Sequence, residues 1–252
     1  MKLLQSYRAL ALAELDYAAF NARRTLPAGA EQPVAFVSES FGRGLVDHNR
    51  PDNPYYNRFV PAADTDPANC PLENVPPRCI ALELPPPLQT PALFQRLLQL
   101  GWSLDSSLCY LHAQPTDPHE VHHMIKRLEP EEALRFFDLI HLPEDKRKPL
   151  FYCRPPFHCY VAFGDNGEPL AWATLYVGVD CAFLGNAETL PAYRNRGIHS
   201  ALLVRRLNDA HSLGLKTVYT DVVPGSQSHA NCEAAGFRQL CSNLIWVRAE
   251  SA

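Results

Sequence analysis

Apolar positions along this chain follow two spacings, one near 3.6 residues and one near 2, and the two alternate in blocks. Between Leu3 and Leu26, Leu4, Leu10, Leu12, Leu15 and Phe20 are interleaved with Arg8, Glu14, Asp16, Arg23 and Arg24. This predicts an amphipathic helix that stops before Pro27 and Gly29. Val34 to Val37 reads as a short strand, and Gly42-Arg43-Gly44 as a turn, because no helical stretch follows it. Residues 49–77 are dense in Pro, Asn and Asp around Tyr55, Tyr56 and Phe59, the pattern of a long loop. A strand at 78–84, a helix at 90–100 closing on Gly101-Trp102, and a strand at 104–111 follow. Beyond Ala113-Gln-Pro-Thr-Asp-Pro118 come a strand at 121–128 and a helix at 130–141 carrying Leu134, Phe136, Phe137 and Ile140. Strands at 158–163 and 170–179 flank the hairpin turn Gly164-Asp165-Asn166-Gly167. The chain ends with a strand at 182–190, a helix at 198–213, a strand at 216–223, a helix at 227–235 and a strand at 240–247.

Mixed strands and helices of this kind predict an α/β (α+β) fold. The order strand, proline, helix, Gly-aromatic, strand at 78–111 recurs at 216–247, a faint internal duplication. With the proline-bearing linker at 113–118, it predicts two domains, 1–117 and 118–252.

The segment between the strand at 182–190 and the next helix carries the clearest chemistry: Thr189-Leu-Pro-Ala-Tyr-Arg194-Asn-Arg196-Gly197-Ile-His199-Ser200. A strand here feeds a helix N-terminus, whose first amides have no intrahelical acceptor and where the helix dipole is positive. Gly197 lets an anion approach the main chain, and Arg194 and Arg196 add charge-assisted hydrogen bonds of about 1.5–3 kcal/mol each. The stretch reads as a cradle for a diphosphate.

This turn resembles the pyrophosphate loop of the GNAT superfamily of acyl-CoA-dependent N-acyltransferases, whose pattern is Arg or Gln, two residues, Gly, one residue, then Gly or Ala. Arg194 and Gly197 match it, and His199 stands where the second small residue is usual. Thr189-Leu190-Pro191 and the Gly236-Phe237 pair fit the same framework. The resemblance implies two GNAT-like modules, each a mixed, mostly antiparallel sheet flanked by helices. The first has no counterpart of Arg194 to His199 ahead of it and should lack the phosphate cradle; the arrangement resembles tandem members such as mycothiol synthase, in which two related modules share a chain. The resemblance also implies acetyl-CoA as co-substrate, held by Ala187, Thr189, Leu190, Arg194, Asn195, Arg196, Gly197, Ile198, His199, Ser200 and Asn231. A backbone N–H around Thr189 and Leu190 is expected to polarise the thioester carbonyl, and Asn231 to hydrogen-bond the pantetheine arm.

Attack of an amine on a thioester needs a neutral nitrogen and a proton for the departing thiolate. Glu188 is the best-placed carboxylate for the base, with Asp221 and Asp180 as alternatives, although strand alternation leaves its face open. Many family members place a Tyr four residues before the Gly of the Gly-Phe pair. Cys232 stands there instead, either as the proton source or as a small buried residue.

His119-Glu120-Val121-His122-His123 formally satisfies the zinc-protease signature, but its register favours a strand, so the histidines are expected at a solvated strand end without a metal. A formal charge of -4 argues against general nucleic-acid binding. Eight cysteines without Cys-x-x-Cys pairs read as reduced thiols. Met1 to Arg24 lacks a signal-peptide core, and no run is long enough for a membrane span, so a cytoplasmic protein is expected. The reading is an acetyl-CoA-dependent N-acetyltransferase acting on a small primary amine. A non-catalytic acyl-CoA-binding regulator and an acyltransferase using another donor stand as alternatives.

Overall fold

The computed structural model describes residues 2–27, 29–30, 32–116, 119–121 and 123–248. Two compact units appear, but not as consecutive halves of the chain. One holds the residues up to Tyr110 together with those from Gln239 onward, and the other is Leu111–Arg238.

In the first unit, helix α1 (Lys2–Thr25) buries Leu15, Ala18 and Ala19 against Leu45 and Val60 of the sheet. Strands β1 (Val34–Glu39) and β2 (Gly42–Asp47) form an antiparallel hairpin, so Gly42-Arg43-Gly44 is strand rather than the expected turn. The reason is close approach: a Cβ on Gly42 would lie 2.5 Å from the Val60 carbonyl oxygen of the next strand. That strand, β3 (Arg58–Pro61), lies inside the stretch expected to be loop. Its Arg58 is fully buried, paired with Glu14 of α1 and, at 3.2 Å, with Glu83 of β4 (Ala81–Leu84). The two carboxylates hold the guanidinium charged against the cost of its burial. Thr90 caps α2 (Pro91–Gln99), accepting from the Leu93 amide, and β5 (Trp102–Ala113) follows.

The second unit opens with β6 (Met124–Arg127) and a capping box of Glu129 and Glu132 ahead of α3 (Ala133–Leu139). Strands β7 (Phe157–Phe163), β8 (Pro169–Val177) and β9 (Cys181–Thr189) form an antiparallel meander, and β6 pairs antiparallel with β7. Helix α4 (Ile198–Ser212), strand β10 (Thr217–Val222) and helix α5 (Gln227–Ala234) complete it, with β10 parallel to β9. The strand order here is β10-β9-β8-β7-β6. Phe136 of α3 packs on Tyr152 and Trp172 and Phe137 on Tyr152, which also meets Phe157, ring centroids 4.8–6.2 Å apart.

The last strand, β11 (Arg238–Arg248), returns to the first unit, where the order is β1-β2-β3-β4-β11-β5. Its Trp246 joins the core cluster of Leu82, Leu84, Leu93 and Leu97. The recurring segment noted in the sequence is also built twice alike: Ser226 caps α5 by accepting from the His229 amide, as Thr90 caps α2.

Candidate functional site

Strands β9 and β10 run together for three residue pairs, Thr217↔Cys181 to Tyr219↔Phe183, and then part. Just beyond the paired stretch, Thr220 Oγ1 donates to the Leu184 carbonyl at 3.4 Å. A bulge accompanies the parting. Gly185 and Asn186 of β9 together oppose Thr174 of β8, and Thr174 Oγ1 donates to the Asn186 carbonyl at 3.3 Å. A bulge bends and twists its strand, and it also resets which side chains face which way. Simple alternation from Leu184 would put Glu188 on the face that Leu184 shares with its partner Leu175. With the extra residue, Glu188 pairs with Trp172 and shares the face on which Trp172 meets Phe136 of α3, while Ala187 and Thr189 face the other way with Ala173 and Ala171. Register also places Asp221 on the Glu188 face, since Tyr219, two residues before it, pairs with Phe183. The two candidate carboxylates therefore flank the opening from opposite strands.

Main-chain direction at the strand end follows from one hydrogen bond. The Leu190 amide donates to the Leu170 carbonyl at 3.0 Å, so Thr189 and Ala187, alternate along the strand, point their N–H groups away from β8 toward the opening. This removes Leu190 from the expected pair of carbonyl-polarising amides, because its donor is already used. Among the described residues, Thr189 Oγ1 finds no hydrogen-bond partner although it is buried.

After a short 3₁₀ turn at Pro191–Tyr193 the backbone takes left-handed conformations at Asn195 (φ 62°) and Gly197 (φ 75°), the latter being the N-cap of α4. The first bond into the helix runs from the Ala201 amide to the Gly197 carbonyl at 3.0 Å. Among the described residues, no hydrogen bond to protein is made by the amides of residues 195–200. The arginines fold back on the turn: Arg194 Nε donates to the Thr189 carbonyl (3.1 Å), and Arg196 reaches the Ala192 carbonyl (3.3 Å) with its guanidinium 5.4 Å from the Tyr193 ring centre. The turn thus presents unpaired donors beside positive charge, and these residues fit a diphosphate.

His199 is drawn away from the turn toward α5. Gln227 Nε2 donates to Asn231 Oδ1 (3.0 Å), which leaves the Asn231 Nδ2 group to donate to His199 Nδ1 (3.1 Å). The imidazole proton therefore sits on Nε2. Burial, with the nearby Arg206 charge second, lowers its pKa to about 4, so the ring is neutral near pH 7. Cys232 of α5 is buried, and burial pushes its thiol up to about 11 against the opposing pull of Arg206. Glu188 and Asp221 are both exposed.

The histidine-rich segment does something that its sequence did not suggest. His119 exchanges two hydrogen bonds with the Asn208 side chain of α4 (3.0 and 2.8 Å), and His123 Nε2 lies 3.1 Å from the Arg196 carbonyl oxygen. His122 lies outside the described residues. Among the described residues, no group of three or more His, Cys, Asp or Glu side chains converges as a metal site, and no helix is long and apolar enough to cross a membrane. The role of His123 depends on a main-chain acceptor 73 residues away, so no local spacing signals it.

Residues 121–237 match the model of the acetyltransferase (GNAT) family. No curated protein matches significantly. Among solved structures, a GCN5-related N-acetyltransferase from Kribbella flavida is similar in fold at TM-score 0.63 and 17% identity, covering 93% of this chain and 96% of that one. A functionally unknown conserved protein from Staphylococcus epidermidis gives TM-score 0.60 at 10% identity, covering 87% and 96%. A Drosophila protein gives 0.56 at 14%, covering 100% and 96%.

Proposed function

We propose that the protein is an acetyl-CoA-dependent N-acetyltransferase acting on a primary amine of a small molecule, a reading supported by the match of residues 121–237 to the acetyltransferase (GNAT) family model. The observation that carries this reading is the run of unpaired amides at 195–200, set where β9 gives way to α4 next to the parted strands. The amides of Asn195, Arg196, Gly197, Ile198, His199 and Ser200, with Arg194 and Arg196, would take the diphosphate. The opening between β9 and β10 would admit the pantetheine arm, with Asn231 near its path. The Thr189 amide, aimed into the opening, is the donor for the thioester carbonyl, a fixed dipole that needs no reorganisation as charge develops on oxygen.

Transfer is direct, within a complex of both substrates. The amine nitrogen forms a bond to the acetyl carbon while the C–S bond breaks. Glu188 takes the proton from nitrogen, directly or through water, with Asp221 as the alternative base across the opening. Cys232 is 1% exposed, and we assign it to packing, with solvent returning the proton to the thiolate.

Titration calorimetry with acetyl-CoA tests the reading. Saturable binding is expected for the parent chain, with substantial loss in the Arg194→Ala, Arg196→Ala double variant. No binding, or equal binding by both, contradicts it. The buried Cys232 in place of the family's Tyr favours a second reading, a non-catalytic acyl-CoA-binding regulator. Binding without turnover across a broad panel of amines supports that one instead.

A further inference from the structure

The reading of the turn as a diphosphate cradle leaves open what fixes the direction of its amides, and this inference rests on that reading. We propose that His123 is a positioning residue for the cradle: its Nε2–H holds the Arg196 carbonyl and so aims the Gly197 N–H at the bound diphosphate.

In a trans peptide the C=O and the following N–H point in opposite directions, so fixing the Arg196 carbonyl fixes the Gly197 amide. Gly197 sits at φ 75°, and glycine takes positive and negative φ with similar ease. The peptide between Arg196 and Gly197 can therefore turn over at little cost, burying the donor and presenting a carbonyl oxygen to the anion instead. Among the described residues, no hydrogen bond from within the turn holds the Arg196 carbonyl. His123 supplies the selection from outside: its Nε2 lies 3.1 Å from the Arg196 oxygen, an acceptor only, so the proton is on Nε2. The ring also lies over the glycine, 3.9 Å from where a Cβ would stand.

The strap that delivers His123 is anchored to α4 on both sides. Asn208 donates to the His119 carbonyl (2.8 Å) and accepts from the His119 amide (3.0 Å), and Arg205 Nη1 donates to the Ile125 carbonyl (2.9 Å). Both anchors lie on the helix whose N-terminus forms the cradle. The histidines that mimic a zinc signature thus tie the start of β6 to the phosphate turn.

The test compares two thioester donors, acetyl-CoA and S-acetylpantetheine, the second lacking the diphosphate. His123→Ala is expected to weaken acetyl-CoA binding by about three- to tenfold, the worth of one hydrogen bond, and to leave kcat/KM for S-acetylpantetheine unchanged. His123→Gln, whose carboxamide N–H can reach the same carbonyl, is expected to restore most of the affinity. Asn208→Ala, which loosens the strap from the helix side, is expected to shift acetyl-CoA affinity in the same direction. Parent-like binding by His123→Ala, equal loss with both donors, or no recovery in His123→Gln overturns the proposal and leaves the cradle standing. Failure of the parent chain to bind acetyl-CoA overturns the cradle and this proposal together.

Discussion

Gly197 carries more of the site than any side chain around it, because its left-handed φ of 75° opens the turn and starts α4. An alanine there meets no steric neighbour closer than His123 but must hold a positive φ, at about 1–2 kcal/mol. Gly197→Ala is therefore expected to lower acetyl-CoA affinity by roughly tenfold while the protein stays folded, as calorimetry and circular dichroism on the same sample would show. Glu188 is predicted differently. Removing a general base costs about 10²–10⁴ in rate, so Glu188→Gln should lower kcat with little change in the KM for acetyl-CoA; a matching loss in Asp221→Asn alone would move the base across the opening. The helix start at Ile198 and the turn glycine before it were legible in the sequence because their signals are local. The use of Leu190's amide on Leu170 and of His123 on Arg196 was not, since each depends on a partner from a distant strand or strap.

Among the elements, β9 shows where local reading stops. Its apolar run predicted the strand to within a residue at each end, yet the face of Glu188 turned on the bulge at Gly185–Asn186, which alternation cannot foresee. Gly185 alone hints at it, and Thr174, bonded to the bulged carbonyl, gives no sign in sequence. The β1–β2 hairpin failed as an expectation for a related reason: Gly42 reads as a turn former, but its role is to let β3 pass close by. Gly42→Ala should push against the Val60 carbonyl at 2.5 Å and destabilise the first unit by about 1–3 kcal/mol, measured as a lowered denaturant midpoint without loss of acetyl-CoA binding.

At the scale of the whole molecule, the strand that ends the chain belongs to the unit that begins it. β11 lies between β4 and β5, and its Trp246 is buried in the same cluster as Leu82 and Leu97. A chain ending at Phe237 keeps every cofactor-turn residue, yet it is expected to lose a central strand and to aggregate or unfold on expression; a soluble, cooperatively folding product would contradict this placement. Acid stability follows from three buried or half-buried histidines. Burial lowers the pKa of His112, His158 and His199, the last to about 4. Below the ordinary histidine value near 6.5 the unfolded chain binds protons that the folded one refuses, so stability falls as pH drops from about 6.5 toward 4. Melting temperature should be lower at pH 5 than at pH 7, with a smaller difference in His199→Gln.

The most direct measurement of the account is an amide NMR titration of the ¹⁵N-labelled chain with coenzyme A. The account predicts that the largest shifts fall on the N–H resonances of Asn195, Arg196, Gly197, Ile198, His199 and Ser200. Shifts confined to other segments, or none at saturating ligand, would contradict it.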